Sequence, residues 1–153
     1  MVYLVVRVRG TVNVPYWART TLNNLNLHKR FRATILPENS QSLNMLRKVK
    51  EVVAWTSVVD AQVIKELLEK RGRKAGFRSI TDSDLPKGYK SINDLASDIA
   101  ENKVAMSKLE NIKPWFALNP PRGGFKRRTK TQYSQKGVLG NNKELVDIVK
   151  RML

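Results

Sequence analysis

The first 58 residues of this chain alternate between two hydrophobic periodicities, and this alternation restricts the possible folds more than any other feature. A run of mostly β-branched residues over 2–8 predicts a strand buried on at least one face. Pro15 then precedes apolar residues at helical spacing, namely Ala18, Leu22 and Leu25. The sequence therefore begins with a strand that is followed by an amphipathic helix.

The same order repeats up to residue 58. Alternating residues over 31–35 predict a second strand, which Pro37 closes. A second helix is expected to begin near Asn39, and a third strand over 52–57 carries Trp55, which we expect in the core. This order predicts an α+β fold with a β-α-β-α-β core. Its small three-stranded sheet would be covered by two helices on one face, as in a split β-α-β or ferredoxin-like relative.

Residues 59–153 predict a mainly helical and loop extension that packs on the 1–58 core. A helix is expected over 60–71, and a short helix is expected to continue to Lys113. A terminal helix over 142–153 carries apolar residues on one side. Three apolar residues between these helices are expected to fix the extension to the core: Trp115, Phe116 and Leu118.

Positive charge is concentrated in two separate parts of the chain. The net charge is +16, with 29 Lys and Arg against 13 Asp and Glu. Residues 1–37 and 111–143 contain no acidic residue, whereas 38–110 is almost neutral. Two acid-free segments around a neutral middle favour a polyanion partner, and nucleic acid is the leading candidate. A smaller basic patch over 71–78 is interpreted as a secondary contact.

The basic loop, residues 119–137, is the most distinctive part of the second segment. Its prolines and paired glycines argue against a continuous helix or a central strand. Its six cations repel one another, so a polyphosphate would help to order them. Gly123 and Gly124 would let the backbone approach a sugar-phosphate chain, and Phe125 and Tyr133 would stack on unpaired bases. The alternative is a solvated, partly disordered basic loop.

Residue types needed for catalysis or metal binding are scarce. The chain has no cysteine, which excludes disulfides and thiolate metal sites, and its apolar runs are too short for a membrane span. The single histidine, His28, stands beside two cations, which favours a phosphate or base contact or a surface position over catalysis. Asp82 with Asp84, or Asp94 with Asp98, would be the only candidates for a nuclease metal pair, and two of these four match helix caps. We therefore expect no enzyme, no metal and no cofactor.

Several stretches resemble one family in order and spacing. The start V-Y-L-V-V-R-V-R-G, the run T-L-N-N-L-N-L-H-K-R-F-R-A-T-I-L and the helix N-M-L-R-K-V resemble the core of the large-ribosomal-subunit protein called L-thirty in bacteria. Four further stretches resemble the long archaeal and eukaryotic form, called L-seven in eukaryotes. They are V-A-W in the third strand and, beyond residue 58, L-L-E-K-R-G, P-R-G-G-F-K-R-R-T and I-V-K-R-M. The resemblance covers almost the whole chain.

This resemblance implies a cytoplasmic structural protein of the large (50S) ribosomal subunit, a ribonucleoprotein component that acts in translation. Family members bind large-subunit ribosomal RNA, and archaeal members are associated with holding the 5S ribosomal RNA against the subunit, beside neighbouring ribosomal proteins. By position, the resemblance places these residues near RNA: Arg7, Arg9, Asn13, Arg19, Asn23, His28, Lys29, Arg30, Arg32, Arg122, Gly123, Gly124, Phe125, Lys126, Arg127, Arg128 and Lys130.

The alternative hypothesis is an RNA- or DNA-binding module that is not ribosomal. A DNA-binding module would need a recognition helix with base-reading side chains, whereas the most basic segment here is rich in Gly and Pro. Recognition of RNA shape and backbone fits such a segment better, because the deep groove of A-form RNA hides its base edges.

Overall fold

The computed structural model describes residues 1–58 and 60–153. Val59, where the predicted extension begins, lies outside the described residues. The strands are β1 (Val2–Arg7), β2 (Arg32–Pro37), β3 (Val53–Val58), β4 (Phe116–Ala117), β5 (Arg128–Gln132) and β6 (Gly137–Asn141). The α-helices are α1 (Tyr16–Asn24), α2 (Ser40–Lys48), α3 (Ala61–Arg71), α4 (Ile92–Ala100) and α5 (Leu145–Met152). Within these described ranges, no helix has the length and apolar character needed to cross a bilayer.

The first three strands form the predicted sheet. β1 lies between β2 and β3 and pairs antiparallel with both, so that Val5 is opposite Thr34 on one side and Trp55 on the other. α2 begins as expected at Asn39, whose side chain accepts a 2.7 Å hydrogen bond from the Ser42 backbone N–H. The β-α-β-α-β core is therefore confirmed.

Helices cover both faces of this sheet. α1 and α2 bury Leu22 and Leu46 against the face that carries Val5 and Trp55. The opposite face, which carries Leu4 and others, packs against apolar residues of α3, α4 and α5. Each fully buried aliphatic side chain contributes on the order of 2 kcal/mol through removal of apolar surface from water. The two helices of the core, α1 and α2, therefore cover one face of the sheet as predicted, and the helices of the extension cover the other face.

The sheet is larger than predicted, because three strands of the extension lengthen it to the order β4-β2-β1-β3-β6-β5. β4 pairs antiparallel with β2 at Ala33 and Phe116, and β6 pairs parallel with β3 at Ala54 and Gly140. The outer edges of a three-stranded sheet expose unpaired backbone groups, and the added strands pair with part of each edge. The prediction of a helical and loop extension is thus incomplete.

The region between α4 and β4 also differs from expectation. The predicted short helix to Lys113 is wrong: the chain forms one 3₁₀ turn at Met106–Lys108 and then runs without helix. Leu109 and Ile112 are nevertheless buried in the core, and Ile112 pairs with Lys74 through an isolated antiparallel bridge. These two side chains are therefore buried without a helix to place them.

Candidate nucleic-acid interface

The loops that follow β1 and precede β2 lie at one end of the sheet. The Phe31 backbone N–H donates to the Arg7 carbonyl at 2.8 Å, which places residues 28–31 beside the end of β1. His28 Nδ1 lies 3.0 Å from Asn23 Oδ1 at the end of α1. This end of the molecule therefore collects most of the polar residues predicted near RNA in the first acid-free segment.

Arg7 differs from the other predicted residues because it is buried. Only 2% of it is exposed. Its guanidinium donates to the carbonyls of Leu27 at 2.7 Å, His28 at 2.9 Å, Arg9 at 3.0 Å and Gly10 at 3.2 Å. Burial lowers the pKa of this guanidinium from its usual range. Since four of its five N–H groups are used internally, Arg7 positions the two loops and does not present a charge to solvent.

The remaining predicted side chains of this segment reach the surface. Those classed as exposed are Asn13, Arg19, Asn23, His28, Lys29 and Arg30, while Arg9 and Arg32 are half-buried. Arg30 donates from Nε to the Val8 carbonyl at 2.8 Å and lies over the Phe31 ring at 4.5 Å. Both contacts leave the end of its guanidinium available, so Arg30 is held in place and remains able to bind a phosphate.

The basic loop has a defined conformation. The Gly124 N–H donates to the Pro121 carbonyl at 2.9 Å, and Gly123 and Gly124 have φ angles of 77° and 71°. Residues that carry a Cβ atom are disfavoured in this left-handed region, so the turn favours this pair of glycines. Arg151 of α5 donates to the Gly124 carbonyl at 2.8 Å and to that of Arg122 at 3.2 Å. The loop is therefore fixed to the end of α5.

The cations of this loop are not equivalent. The exposed ones are Arg122, Lys126, Arg128, Lys130 and Lys136. Arg127 is half-buried: it forms a 2.7 Å ion pair with Glu144 and lies 4.8 Å above the Tyr133 ring. Arg127 thus covers one face of the ring that was predicted to stack on bases. The exposed cations are the better candidates for phosphate contacts.

The two acid-free segments meet at a pair of aromatic rings. The Phe31 and Phe125 rings are stacked, with centroids 6.3 Å apart and planes 22° apart. The Leu118 N–H also donates to the Phe31 carbonyl at 3.0 Å. Phe125 therefore has a packing role on the sheet in addition to any contact with a base. The two acid-free segments, which are separate in the sequence, are therefore adjacent at this contact.

Two of the four aspartates considered for a metal pair, one in each pair, have structural partners. Asp84 accepts from Lys74 Nζ at 2.6 Å and from the Thr81 hydroxyl at 2.6 Å, and Asp98 accepts from the Tyr89 hydroxyl at 2.9 Å. Across the two described stretches of the chain, no three His, Cys, Asp or Glu side chains are grouped as a metal would require.

The Asp84 contacts predict a specific acid dependence of stability. The bonds from Lys74 and Thr81 lower the pKa of the Asp84 carboxyl to about 2. A carboxyl with a folded pKa below its unfolded value stabilises the fold above about pH 4 and loses that effect as pH falls toward 2. We expect urea unfolding to show Asp84→Asn less stable than the unmodified chain at pH 6, with the difference shrinking at pH 2.5. A difference that is equal at both pH values would contradict this assignment.

Comparison with known proteins places these features in a family. Residues 3–53 match the family model described as ribosomal protein L30p/L7e. A relative from Nitrosopumilus maritimus, named large ribosomal subunit protein uL30, is 49% identical over 98% of this chain and 97% of its own length. The chain belongs to the L30p/L7e family. Relatives of the same name from Cenarchaeum symbiosum and Staphylothermus marinus are 51% and 41% identical, each over 99% of this chain and 97% and 98% of their own lengths.

Membership of the L30p/L7e family settles the class of protein. The three relatives are archaeal and match the extension as well as the core, so the chain has the long form that the sequence predicted. It is a structural ribosomal protein and not an enzyme, as expected.

Proposed function

We propose that this L30p/L7e protein is a cytoplasmic constituent of the large ribosomal subunit that binds ribosomal RNA through one basic region formed by both acid-free segments. The observation that carries the proposal is the Phe31–Phe125 contact, which joins the two segments. Exposed cations surround this junction in sequence, among them Lys29, Arg30 and Lys126. A rigid arrangement of this kind binds phosphates without the full entropic cost of ordering a free loop.

The proposal extends to the partners of the protein in the subunit. We infer that the core, residues 1–58, holds the RNA-facing loops, while the extension, 59–153, adds the basic loop and brings a second RNA region to the same surface. The 5S ribosomal RNA and neighbouring ribosomal proteins are the proposed further partners. The resemblance to archaeal members supports the 5S contact, and the acid-free sequence of both segments supports RNA as the ligand.

The natural absence of cysteine allows a direct test in assembled subunits. We expect an iron chelate attached to Lys29→Cys and one attached to Lys126→Cys to cleave overlapping sites in the ribosomal RNA, because the two segments meet. Exposed Gln62→Cys on α3 is the matched control and should give a different cleavage pattern. Cleavage of 5S RNA from either position would support that partner. If neither position cleaves RNA in subunits that contain the protein, the proposed surface is wrong.

A further inference from the structure

A hairpin in the extension presents an aromatic ring that the proposed basic region does not include. The Phe77 hairpin, residues 73–79, is closed by an antiparallel bridge between Arg73 and Ser79 and by the Lys74 N–H, which donates to the Arg78 carbonyl at 2.9 Å. The Phe77 N–H donates to the Lys74 carbonyl at 3.0 Å. The Lys113 N–H donates to the Arg73 carbonyl at 2.9 Å and joins the hairpin to the strand-like segment before β4. The ring at its tip is therefore held at a fixed position.

Phe77 lies outside the hydrophobic core of this protein. It is 64% exposed and lies in neither group of core residues. Its φ angle is 60°, and that of Gly76 is 76°, so a bulky aromatic residue occupies the left-handed region that glycine would adopt without strain. An exposed apolar side chain outside the core, on a backbone in this region, buries little apolar surface within the protein. Such an arrangement points to contact with another molecule.

The groups that surround the Phe77 ring indicate the chemical class of its partner. Phe77 and Trp115 have centroids 6.1 Å apart with planes at 56°. Lys113 Nζ lies 4.2 Å above the Phe77 ring, and the Arg32 guanidinium lies 3.9 Å above the Trp115 ring. Most of Phe77 nevertheless remains exposed, at 64%. The site offers an exposed aromatic ring beside several positive charges.

Charge complementarity favours a nucleotide over an apolar peptide as the occupant. The segment 71–78 contains four cations and no acid, and Arg78 beside the ring is exposed. Of the two acids that line the adjoining cavity with Lys74 and Lys113, Asp84 is paired with Lys74 at 2.6 Å, and Glu110 is exposed. A nucleotide combines a flat base with a negatively charged phosphate. Its base can stack on the exposed phenyl ring while its phosphate contacts the neighbouring cations.

We propose that Phe77, supported by Trp115 and Lys113, stacks on an unpaired base of ribosomal RNA while Arg78 contacts an adjacent phosphate. This inference rests on the proposed function, and it adds a third contact in the extension. The contact is continuous with the basic region, because Arg32 belongs to the first acid-free segment and lies on the Trp115 ring.

The test exploits the left-handed backbone at residue 77. Phe77→Gly removes the ring and suits a φ of 60°, so we expect a melting temperature no lower than that of the unmodified chain. Its affinity for deproteinised large-subunit RNA should fall roughly 5- to 150-fold, with the salt dependence of binding unchanged, since no charge is lost. Phe77→Trp should retain affinity. Phe77→Leu, which keeps apolar bulk, should lose it.

The outcomes separate this inference from the proposed function. Unchanged affinity of Phe77→Gly, with normal RNA binding by the unmodified chain, overturns the stacking site alone. Failure of the unmodified chain to bind the RNA overturns the proposed function itself. Ultraviolet crosslinking of assembled subunits provides the second measurement: we expect a nucleotide adduct on the peptide that contains Phe77, and a crosslink to another protein there instead would show that the hairpin binds a protein.

Discussion

Replacing four cations of the basic loop by alanine is expected to lower affinity for large-subunit RNA by roughly two orders of magnitude near 0.15 M salt. The four are Arg122, Lys126, Arg127 and Arg128. Each phosphate contact releases counterions and contributes about 0.7 units to the slope of log affinity against log salt on single strands, so the slope should flatten by up to about 3 units. Filter binding of labelled RNA over a range of salt concentrations measures both quantities.

The structure indicates that these four cations contribute unequally to the salt dependence of binding. Arg127 is engaged by Glu144 at 2.7 Å, so Arg127→Ala alone should change the slope least, whereas exposed Lys126 should account for a full contact. The matched control removes four exposed lysines from the nearly neutral middle of the chain: Lys70, Lys87, Lys90 and Lys108. Both variants lose the same net charge. An equal loss of affinity in the control would mean that net charge alone, and not the basic loop, determines binding.

The core could be predicted from sequence because its signals are local. β-branched residues over 2–8 and helical spacing after Pro15 each reflect which side of one element is buried. The edge strands of the extension could not be predicted in the same way. β4 has two residues, too few to show a period, and its position depends on the free edge of β2. β5 does alternate cations with threonine, but the prolines and glycines before it concealed that pattern.

The same limit applies to the candidate site. Charge distribution located both basic segments, since the absence of acids is visible in the sequence. Their junction at Phe31 and Phe125 joins residues far apart in the chain, and no local pattern encodes such a contact. Trp115 was expected to fix the extension to the core, yet Phe116 is fully buried while Trp115 is half-exposed and stacks with Arg32. For Phe77, the sequence pattern that could have indicated a binding role is an aromatic residue between a glycine and several cations.

Arg7 illustrates how one residue type serves opposite roles. All six basic residues of the first acid-free segment were interpreted as RNA contacts, but the strand position of Arg7 brings its side chain under two loops. Buried carbonyl groups that lack a donor are costly, and the guanidinium satisfies four of them at once. Under the proposed function, Arg7 therefore acts on RNA binding only through the loops that it fixes, which carry Arg9, His28 and Lys29.

Arg7→Met should consequently be the most destabilising single substitution of a predicted RNA-contact residue. The methionine keeps an apolar stem but leaves the carbonyls of both loops without their donor, which should cost on the order of 3 kcal/mol. For a protein of this size, that corresponds to a fall in melting temperature of roughly 6–12 °C. Arg7→Lys should be intermediate, because one ammonium cannot reach carbonyls on both loops. Calorimetry or circular dichroism on heating measures the shift.

Arg9→Met is the matched control for this prediction, since Arg9 has the same stem but makes only a 3.4 Å contact to the Glu51 carbonyl at the surface. Its stability should change by less than about 0.5 kcal/mol. Well below the melting temperature, Arg7→Met should weaken RNA binding without flattening its salt dependence, whereas Arg9→Met should flatten it, because only Arg9 can lose a phosphate contact. A melting temperature of Arg7→Met close to that of the unmodified chain would show that the four carbonyls do not need the guanidinium, and the positioning role would then be wrong.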